Sequence, residues 1–132
     1  LRPVMAWKTI VSEVKLVKKG ESVSYDLTET LRRNSRIAIL PIGYWHGYPQ
    51  ALSGKSAVLV RGKRAPILGR VSMDMLTIDV SDIPEVRASD IVTLIGADGQ
   101  ETVSAGELAR LIGTSHYELV TRINPLIQKF YR

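Results

Sequence analysis

The chain has 132 residues, of which 45% are hydrophobic and 23% charged, with no cysteine and a formal net charge of +5. This length suits one domain, residues 1–132, which can bury roughly two thirds of its unfolded surface. The composition excludes a disordered chain and disulfide or thiolate chemistry, and no apolar run approaches the roughly 20 residues that span a bilayer. The charge is compatible with nucleic acid, an anionic substrate or an acidic partner.

The first hundred residues predict short strands separated by turns. Branched apolar residues favour strands, although Ile10, Val11 and Val14 would also fit one face of a helix. Clusters of Gly, Pro, Asp and Ser between the apolar segments indicate turns. The predicted strands cover 4–18, 23–25, 36–42, 56–61, 64–71, 73–80 and 91–95, with loops at 26–35 and 43–54 and a turn at Gly62-Lys63.

Two short helices are predicted near the C-terminus. Each begins with a serine followed three residues later by a glutamate, which is a capping box, and then by apolar residues at helical spacing. Gly113 would end the first helix and Asn124-Pro125 the second, with the tail either irregular or returning as a strand. We therefore predict a mainly β, compact barrel- or sandwich-like domain with two short C-terminal helices. The two boxes are Ser104 with Glu107 and Ser115 with Glu118.

Residues 41–49 concentrate aromatic residues, glycines and a histidine directly after a buried strand. Loops at strand ends often carry function, but Tyr44, Trp45 and Tyr48 could equally cover one end of a barrel. The residues alone leave both interpretations open. His46 and His116 lack the spacing of transition-metal ligands, so we predict no metal site.

A second feature is the basic stretch around Gly62, which forms either a basic patch or a solvated hairpin. A nucleic-acid-binding barrel is compatible with these charges. Against it, the chain has a single Phe and no aromatic ladder on a strand, although base-stacking barrels rely on such platforms. The basic residues are Arg61, Lys63, Arg64 and Arg70.

Six segments of the chain carry recognisable motifs: 1–5, 20–25, 39–44 with 47–49, 60–74, 79–84, and 105–111 with 116–118. One such motif would be a weak signal, whereas six in order through nearly the whole chain are a strong one. In residues, order and spacing these segments resemble the C-terminal domain of the alanine racemases.

The resemblance implies an enzyme with an N-terminal α/β barrel that carries pyridoxal phosphate on a lysine. It further implies a head-to-tail homodimer in which this domain closes the partner's site. The lysine-bearing motif is absent from these residues, and the chain begins at Leu1, so we expect a piece of a longer protein that is inactive alone. The implied activity is interconversion of L- and D-alanine for peptidoglycan synthesis in a bacterial cytoplasm, with no nucleic-acid or membrane partner.

The resemblance also assigns roles to single residues. Tyr25 matches the tyrosine that exchanges a proton on one face of the substrate's α-carbon, opposite the barrel lysine. A free tyrosine has a pKa near 10, so it must be tuned to act near neutral pH. Tyr117 matches a tyrosine that donates to the cofactor phosphate, which is a sensible pairing for a hydroxyl.

Four further residues match positions around the substrate. Met73 corresponds to a position whose backbone amide binds the substrate carboxylate, and Asp74 would shape the same turn. Tyr44 matches a tyrosine that lines the substrate access corridor. Arg70 matches a basic residue near that corridor, where it would attract a carboxylate.

The chain departs from the family pattern at several positions near this corridor. Trp45, His46 and Gln50 replace an alanine, an aspartate and an arginine, and Ser72 replaces a more frequent cysteine. In the segment 26–29 only Thr28 is kept. These changes leave open a racemase for another small amino acid, such as serine, while a non-catalytic basic binding module remains the alternative from a different class.

Overall fold

The structure is a computed structural model that describes residues 5–24 and 27–131, and within these ranges it has ten β-strands and two α-helices. The strands are β1 Trp7–Ile10, β2 Glu13–Val17, β3 Ser22–Val23, β4 Glu29–Thr30, β5 Ser35–Leu40, β6 Ala57–Val60, β7 Lys63–Leu68, β8 Leu76–Asp79, β9 Ile91–Asp98 and β10 Glu101–Val103. The helices are α1 Ala105–Leu111 and α2 His116–Thr121. Neither is long and apolar enough to cross a membrane, and the described residues contain no other such helix. The predicted mainly β class with two short C-terminal helices is confirmed.

Most strands form one antiparallel sheet in the order β1-β9-β6-β7-β8-β5-β2, with β10 paired to β9 and a separate β3–β4 hairpin. The predicted single strand over 4–18 is wrong, because the chain changes sheet edge in its middle. Val11 N–H donates to the Asp90 carbonyl at 2.9 Å, and Ser12 N–H donates to the Ile39 carbonyl at 2.9 Å. The two ends of the sheet are thus consecutive in the chain, so the sheet curls around its core, although the described strand pairings do not close a barrel.

Several other boundaries differ from the prediction. The hairpin turn is Arg61-Gly62, one residue earlier than predicted, because Val60 pairs with Lys63. Both turn residues have positive φ (54° and 75°), as the tight turn favoured between twisted antiparallel strands requires. The polar loop 26–35 contributes the short strand β4, β10 was not predicted, and the tail 125–131 forms no strand.

One large hydrophobic core lies inside the curled sheet. Three consecutive residues of β6, Val58, Leu59 and Val60, are fully buried, so both faces of this strand are covered. Tyr48 from the loop after β5 and Leu119 from α2 are buried in the same core. Burying one such leucine stabilises the fold by roughly 1.5–3 kcal/mol. A smaller cluster of Val23, Leu31 and Ile37 lies under the β3–β4 hairpin.

Both predicted helix starts are confirmed, and at each of them the serine half of the predicted capping box is formed. The Ser104 hydroxyl accepts from Glu107 N–H at 3.0 Å, and the Ser115 hydroxyl accepts from Glu118 N–H at 3.1 Å. Gly113, with φ of 69°, follows the last turn of α1 as predicted. These local signals define where the helices begin and end, and burial of Leu108 and Leu119 in the large core packs both helices against the sheet.

Candidate active site

The turn between β7 and β8 is the centre of the candidate site. Ser72 closes it: the Ser72 N–H and hydroxyl both donate to the Met75 carbonyl, at 3.0 and 2.8 Å. The Met75 N–H in return donates to the Ser72 hydroxyl at 3.2 Å. Met73 is 52% exposed, and Asp74 is exposed beside it. The turn therefore presents two of the predicted site residues to solvent.

The aromatic loop (residues 43–49) packs its backbone against this turn. Tyr44 N–H donates to the Ser72 carbonyl at 3.0 Å, and Trp45 N–H donates to the Met73 carbonyl at 2.9 Å. Gly43 allows this approach, because a Cβ at that position would lie 2.1 Å from the Ser72 carbonyl oxygen. The Tyr44 side chain, 49% exposed, consequently lies on the same face as Met73.

Two hydroxyl groups hold the backbone of Arg70. The Ser24 hydroxyl donates to the Arg70 carbonyl at 2.7 Å, and the Arg70 N–H donates to the Thr28 hydroxyl at 2.9 Å. Gly69 leaves room for both, since a Cβ there would lie 2.6 Å from the Ser24 Cβ. The predicted catalytic residue, Tyr25, lies outside the described residues, but its chain neighbour Ser24 is fixed beside Arg70.

Four predicted site residues line one open cleft of about 630 Å³. Lys15 from β2 and Glu21 from the turn before β3 also line it, so two cationic and two acidic residues surround the opening. That size lies within the range of small-molecule sites, which are commonly 300–1,000 Å³. The four residues brought together are Tyr44, Arg70, Met73 and Asp74.

Tyr117, the predicted phosphate contact, does not line this cleft. It lies in the first turn of α2, is 71% exposed, and packs against His116 with ring centroids 4.0 Å apart. Within this chain the structure therefore does not bring it together with the other four. Its exposed position leaves the hydroxyl accessible to a group outside the domain.

The described residues offer little acid–base or metal chemistry of their own. Burial raises the pKa of the Tyr48 hydroxyl well above its usual value, although its hydrogen bond to Ser56 acts in the opposite direction. Tyr48 is therefore unsuited to exchange protons near neutral pH. No group of three or more His, Cys, Asp or Glu in the described ranges could hold a metal ion.

Comparison with known proteins identifies the family to which this chain is similar. The family model "Alanine racemase, C-terminal domain" matches residues 4–131. The chain belongs to this family. Alanine racemase from Halothermothrix orenii is 46% identical over 132 residues, which are all of this chain and 35% of that protein. Alanine racemase from Methylacidiphilum infernorum is 39% identical over the same length, 34% of its own.

Solved alanine racemase structures share the fold of this domain. The biosynthetic alanine racemase of Pseudomonas aeruginosa superposes with a TM-score of 0.91 and 41% identity, covering 100% of this chain and 36% of that one. The Bacillus anthracis alanine racemase with bound L-Ala-P superposes with a TM-score of 0.87 and 42% identity. The match covers 94% of this chain and 31% of that one. The chain thus spans about a third of the length of these relatives.

Sequence reasoning missed a polar link that ties the aromatic loop of this racemase domain to the segment after α2. Asn124 N–H donates to the His46 carbonyl at 2.9 Å, and Asn124 Nδ2 donates to the Trp45 carbonyl at 3.0 Å. In the sequence Asn124 was only part of a helix stop signal. Because the two partners lie about eighty positions earlier, no local pattern could have revealed the contact.

The basic hairpin proves to be paired with acidic residues. Arg61 makes two hydrogen bonds of 2.9 Å to the Asp90 carboxylate. Arg64 makes two to Glu107, at 2.8 and 2.9 Å, and a third to Glu101 at 3.2 Å. Arg70 lies at the far end of β7, roughly 20 Å away along a six-residue strand. The four residues therefore form no single basic patch, and the solvated hairpin is the better description.

Proposed function

We propose that this chain is the C-terminal domain of a pyridoxal-phosphate-dependent alanine racemase that interconverts L- and D-alanine for peptidoglycan synthesis in a bacterial cytoplasm. The observation that carries the proposal is the cleft, which gathers Tyr44, Arg70, Met73 and Asp74 around one opening. The membership in the family supports the same activity. The domain supplies its groups to a site completed by other parts of the enzyme and is inactive alone.

The residues of the cleft would receive a small amino acid by its carboxylate. The backbone amide of Met73 would donate to one carboxylate oxygen, which needs no particular side chain at that position. Arg70 would attract the anion from the rim, and Tyr44 would narrow the access corridor beside it. Because the acceptor is charged, the hydrogen bond from the Met73 amide would contribute about 1.5–3 kcal/mol to the free energy of binding.

Tyr25 would exchange the proton on one face of the α-carbon, while a barrel lysine would serve the other face. Racemisation removes a proton from one face and returns a proton to the opposite one, so two positioned groups are sufficient. An ordinary tyrosine pKa near 10 makes this hydroxyl a weak base at neutral pH, so a cationic group from the barrel would need to lower it.

The cofactor would be held mainly by the barrel, and Tyr117 is the residue of this chain that would contact it. Its exposed ring fits that role, because the hydroxyl is not covered by the domain itself. A hydroxyl donor suits a phosphate oxygen. When bound, pyridoxal phosphate would accept the electrons left on the α-carbon as the proton departs.

The domain would work against its own barrel and the partner subunit of a head-to-tail homodimer. Met73, Met75, Tyr44 and Trp45 are each about half exposed at or beside the cleft. An exposed apolar group of this kind favours contact with another protein surface. Such a contact would also exclude water from the reacting carbon.

The test is Tyr25→Phe in the full-length protein, followed by racemisation of alanine in both directions. We expect kcat to fall at least about a hundredfold, the usual worth of a positioned acid–base group, with cofactor absorbance unchanged. Tyr131→Phe is the matched control, because that tyrosine lies in the exposed tail and should leave the rates as they are. Near-normal rates in Tyr25→Phe would overturn the proposed role.

A racemase for serine was the main alternative, raised by the residues that depart from the family pattern. Gln50 Nε2 donates to the Val71 carbonyl at 3.1 Å, and His46 Nδ1 accepts from Gly43 N–H at 3.0 Å. Neither side chain lines the cleft, nor does Trp45. Gln50 and His46 therefore bind backbone groups outside the cleft and do not line a substrate pocket there, which favours alanine. A comparison of kcat/KM for alanine and serine in the full-length protein decides which amino acid is preferred, and a serine preference would refute the substrate assignment.

A further inference from the structure

The aromatic loop determines where the amides of the Met73 turn point. The Ser72 carbonyl accepts from Tyr44 N–H, and the Met73 carbonyl accepts from Trp45 N–H, at 3.0 and 2.9 Å. In a planar trans peptide the N–H points opposite to the C=O of the same unit. Two carbonyls held toward the loop therefore turn the Met73 and Asp74 N–H groups away from it. Neither N–H donates to an acceptor within the described residues.

The loop that sets this direction is itself held by Asn124. The Asn124 side-chain amide donates to the Trp45 carbonyl at 3.0 Å, and its backbone N–H donates to the His46 carbonyl at 2.9 Å. Two successive carbonyls of the loop are thus bound by one residue that is distant in sequence. The side-chain amide of Asn124 is thus one of the groups that orient the Trp45–His46 segment, and it is the one that binds the Trp45 carbonyl.

Close packing and an internal hydrogen bond leave the aromatic loop little freedom to shift. Gly47 adopts φ of 99°, and a Cβ there would lie 2.3 Å from the Arg122 carbonyl oxygen. Inside the loop, Gly43 N–H donates to His46 Nδ1 at 3.0 Å. The loop is therefore fixed at its start by His46, at its end by close packing, and in its middle by Asn124.

We propose that Asn124 is a positioning residue for the substrate carboxylate. It holds the aromatic loop, the loop holds the Ser72 and Met73 carbonyls, and the planar peptides aim the Met73 and Asp74 amides into the cleft. The inference rests on the proposed function, because the substrate carboxylate is the group that these amides receive. It adds a residue about fifty positions from the turn to the determinants of substrate affinity.

The test is a pair of substitutions at Asn124 in the full-length enzyme. Asn124→Ala removes the donor to Trp45, and Asn124→Asp replaces that donor with an oxygen while keeping the acceptor that binds Leu126 N–H at 2.9 Å. We expect KM for alanine to rise about three- to tenfold in both variants, because misaimed amides lose part of one hydrogen bond to the charged carboxylate. We expect kcat to change much less. The Kd of propionate, a carboxylate without an amino group, should rise in parallel.

The control and the contrary outcomes separate this role from a purely structural one. Asn34 also braces a loop, accepting from Lys19 N–H at 2.9 Å, and Asn34→Ala should leave KM unchanged. A KM like that of wild type in Asn124→Asp, or a fall in kcat alone, would overturn the proposal. If the wild-type enzyme racemises no alanine, the proposed function fails instead. Propionate binding to the Asn124 variants then still decides whether this residue positions a carboxylate site.

Discussion

Two tyrosines of the aromatic loop, four positions apart, lie in opposite environments. Tyr48 is fully buried and its hydroxyl pairs with that of Ser56 at 2.8 Å. Tyr44 lies half exposed at the cleft and uses its backbone, not its hydroxyl, to hold the Met73 turn. One side of the loop thus belongs to the core and the other to the site. Sequence reasoning treated a covering role and a functional role of these aromatic residues as alternatives, whereas in the structure Tyr48 belongs to the core and Tyr44 lines the cleft.

The difference teaches how this domain separates stability from chemistry. The core side consists of close-packed side chains with no solvent contact, so its free energy depends on buried area and on satisfied polar groups. The cleft side consists of backbone groups held by other backbone groups and by the hydroxyls of Ser24, Thr28 and Ser72, with exposed side chains around them. Substitutions on the core side should therefore change the free energy of unfolding, and those on the cleft side should change binding.

The largest expected contrast is between a leucine of the core and a methionine of the cleft. Leu94 in β9 is fully buried, and Met75 is about half exposed. Leu94→Ala should lower the free energy of unfolding by about 2–5 kcal/mol, because it removes buried contacts and leaves a cavity. Met75→Ala should cost less than about 1 kcal/mol, as expected of a half-exposed position.

Urea unfolding of the full-length protein, followed by tryptophan fluorescence, measures this contrast. KM for alanine gives the complementary measurement, since we expect it to stay constant in Leu94→Ala and to change in Met75→Ala. Equal losses of stability in the two variants would break the proposed division between core and cleft.

A smaller contrast concerns the two tyrosine hydroxyls. Tyr48→Phe leaves the buried Ser56 hydroxyl without its partner and should lower the free energy of unfolding by about 1–2 kcal/mol. Tyr44→Phe removes an exposed hydroxyl and should have no measurable effect on stability. Thermal unfolding at pH 7 compares the two, and a larger loss in Tyr44→Phe would contradict the assignment.

The pH dependence sharpens this test. Burial raises the pKa of Tyr48 in the folded state, while the unfolded tyrosine keeps a pKa near 10. Below pH 10 both states hold the proton, so the full contribution of Tyr48 is present. Above pH 10 the unfolded state ionises first, and wild type should lose up to about 1.4 kcal/mol per pH unit relative to Tyr48→Phe. Denaturation between pH 9 and 11 would reveal this, and parallel curves would refute it.

Local sequence signals predicted well those parts of the fold that depend on neighbouring residues. The capping serines, Gly113 and the strands around β5 to β7 all follow from spacing over a few positions. The division of the first strand at Val11-Ser12 could not be predicted, because it depends on which distant carbonyls, those of Asp90 and Ile39, accept from the two amides. A strand's partner is a tertiary choice that its own residues do not encode.

The candidate site divides in the same way. Tyr44, Arg70, Met73 and Asp74 were found by motif, and the structure brings these four to one cleft. Asn124 escaped notice because its role depends on carbonyls of a distant loop. Tyr117 does not join the others within this chain, and the predicted roles of all six residues, Tyr25 included, stay predictions.

The smallest expected contrast is between the two helix-opening glutamates. Glu107 of α1 accepts two hydrogen bonds from the partly exposed Arg64 of the β6–β7 hairpin, whereas Glu118 of α2 pairs with Thr114 and Arg122, near Tyr117. Hydrogen bonds from Arg64 lower the pKa of Glu107, so its contribution is present above the unfolded pKa near 4.3 and is lost as the pH falls.

Glu107→Gln should therefore lower the free energy of unfolding by less than about 1 kcal/mol at pH 7, and this difference should be smaller at pH 4 and shrink further as the pH falls through the lowered folded-state pKa. Glu118→Gln should leave stability unchanged, because exposed ion pairs between flexible side chains are screened by water. Urea titrations of both variants at pH 7 and pH 4 make the comparison. A greater loss in Glu118→Gln would mean that the exposed ion pair of α2 contributes more to stability than the Arg64–Glu107 pair of α1, against the expectation for two flexible, exposed side chains.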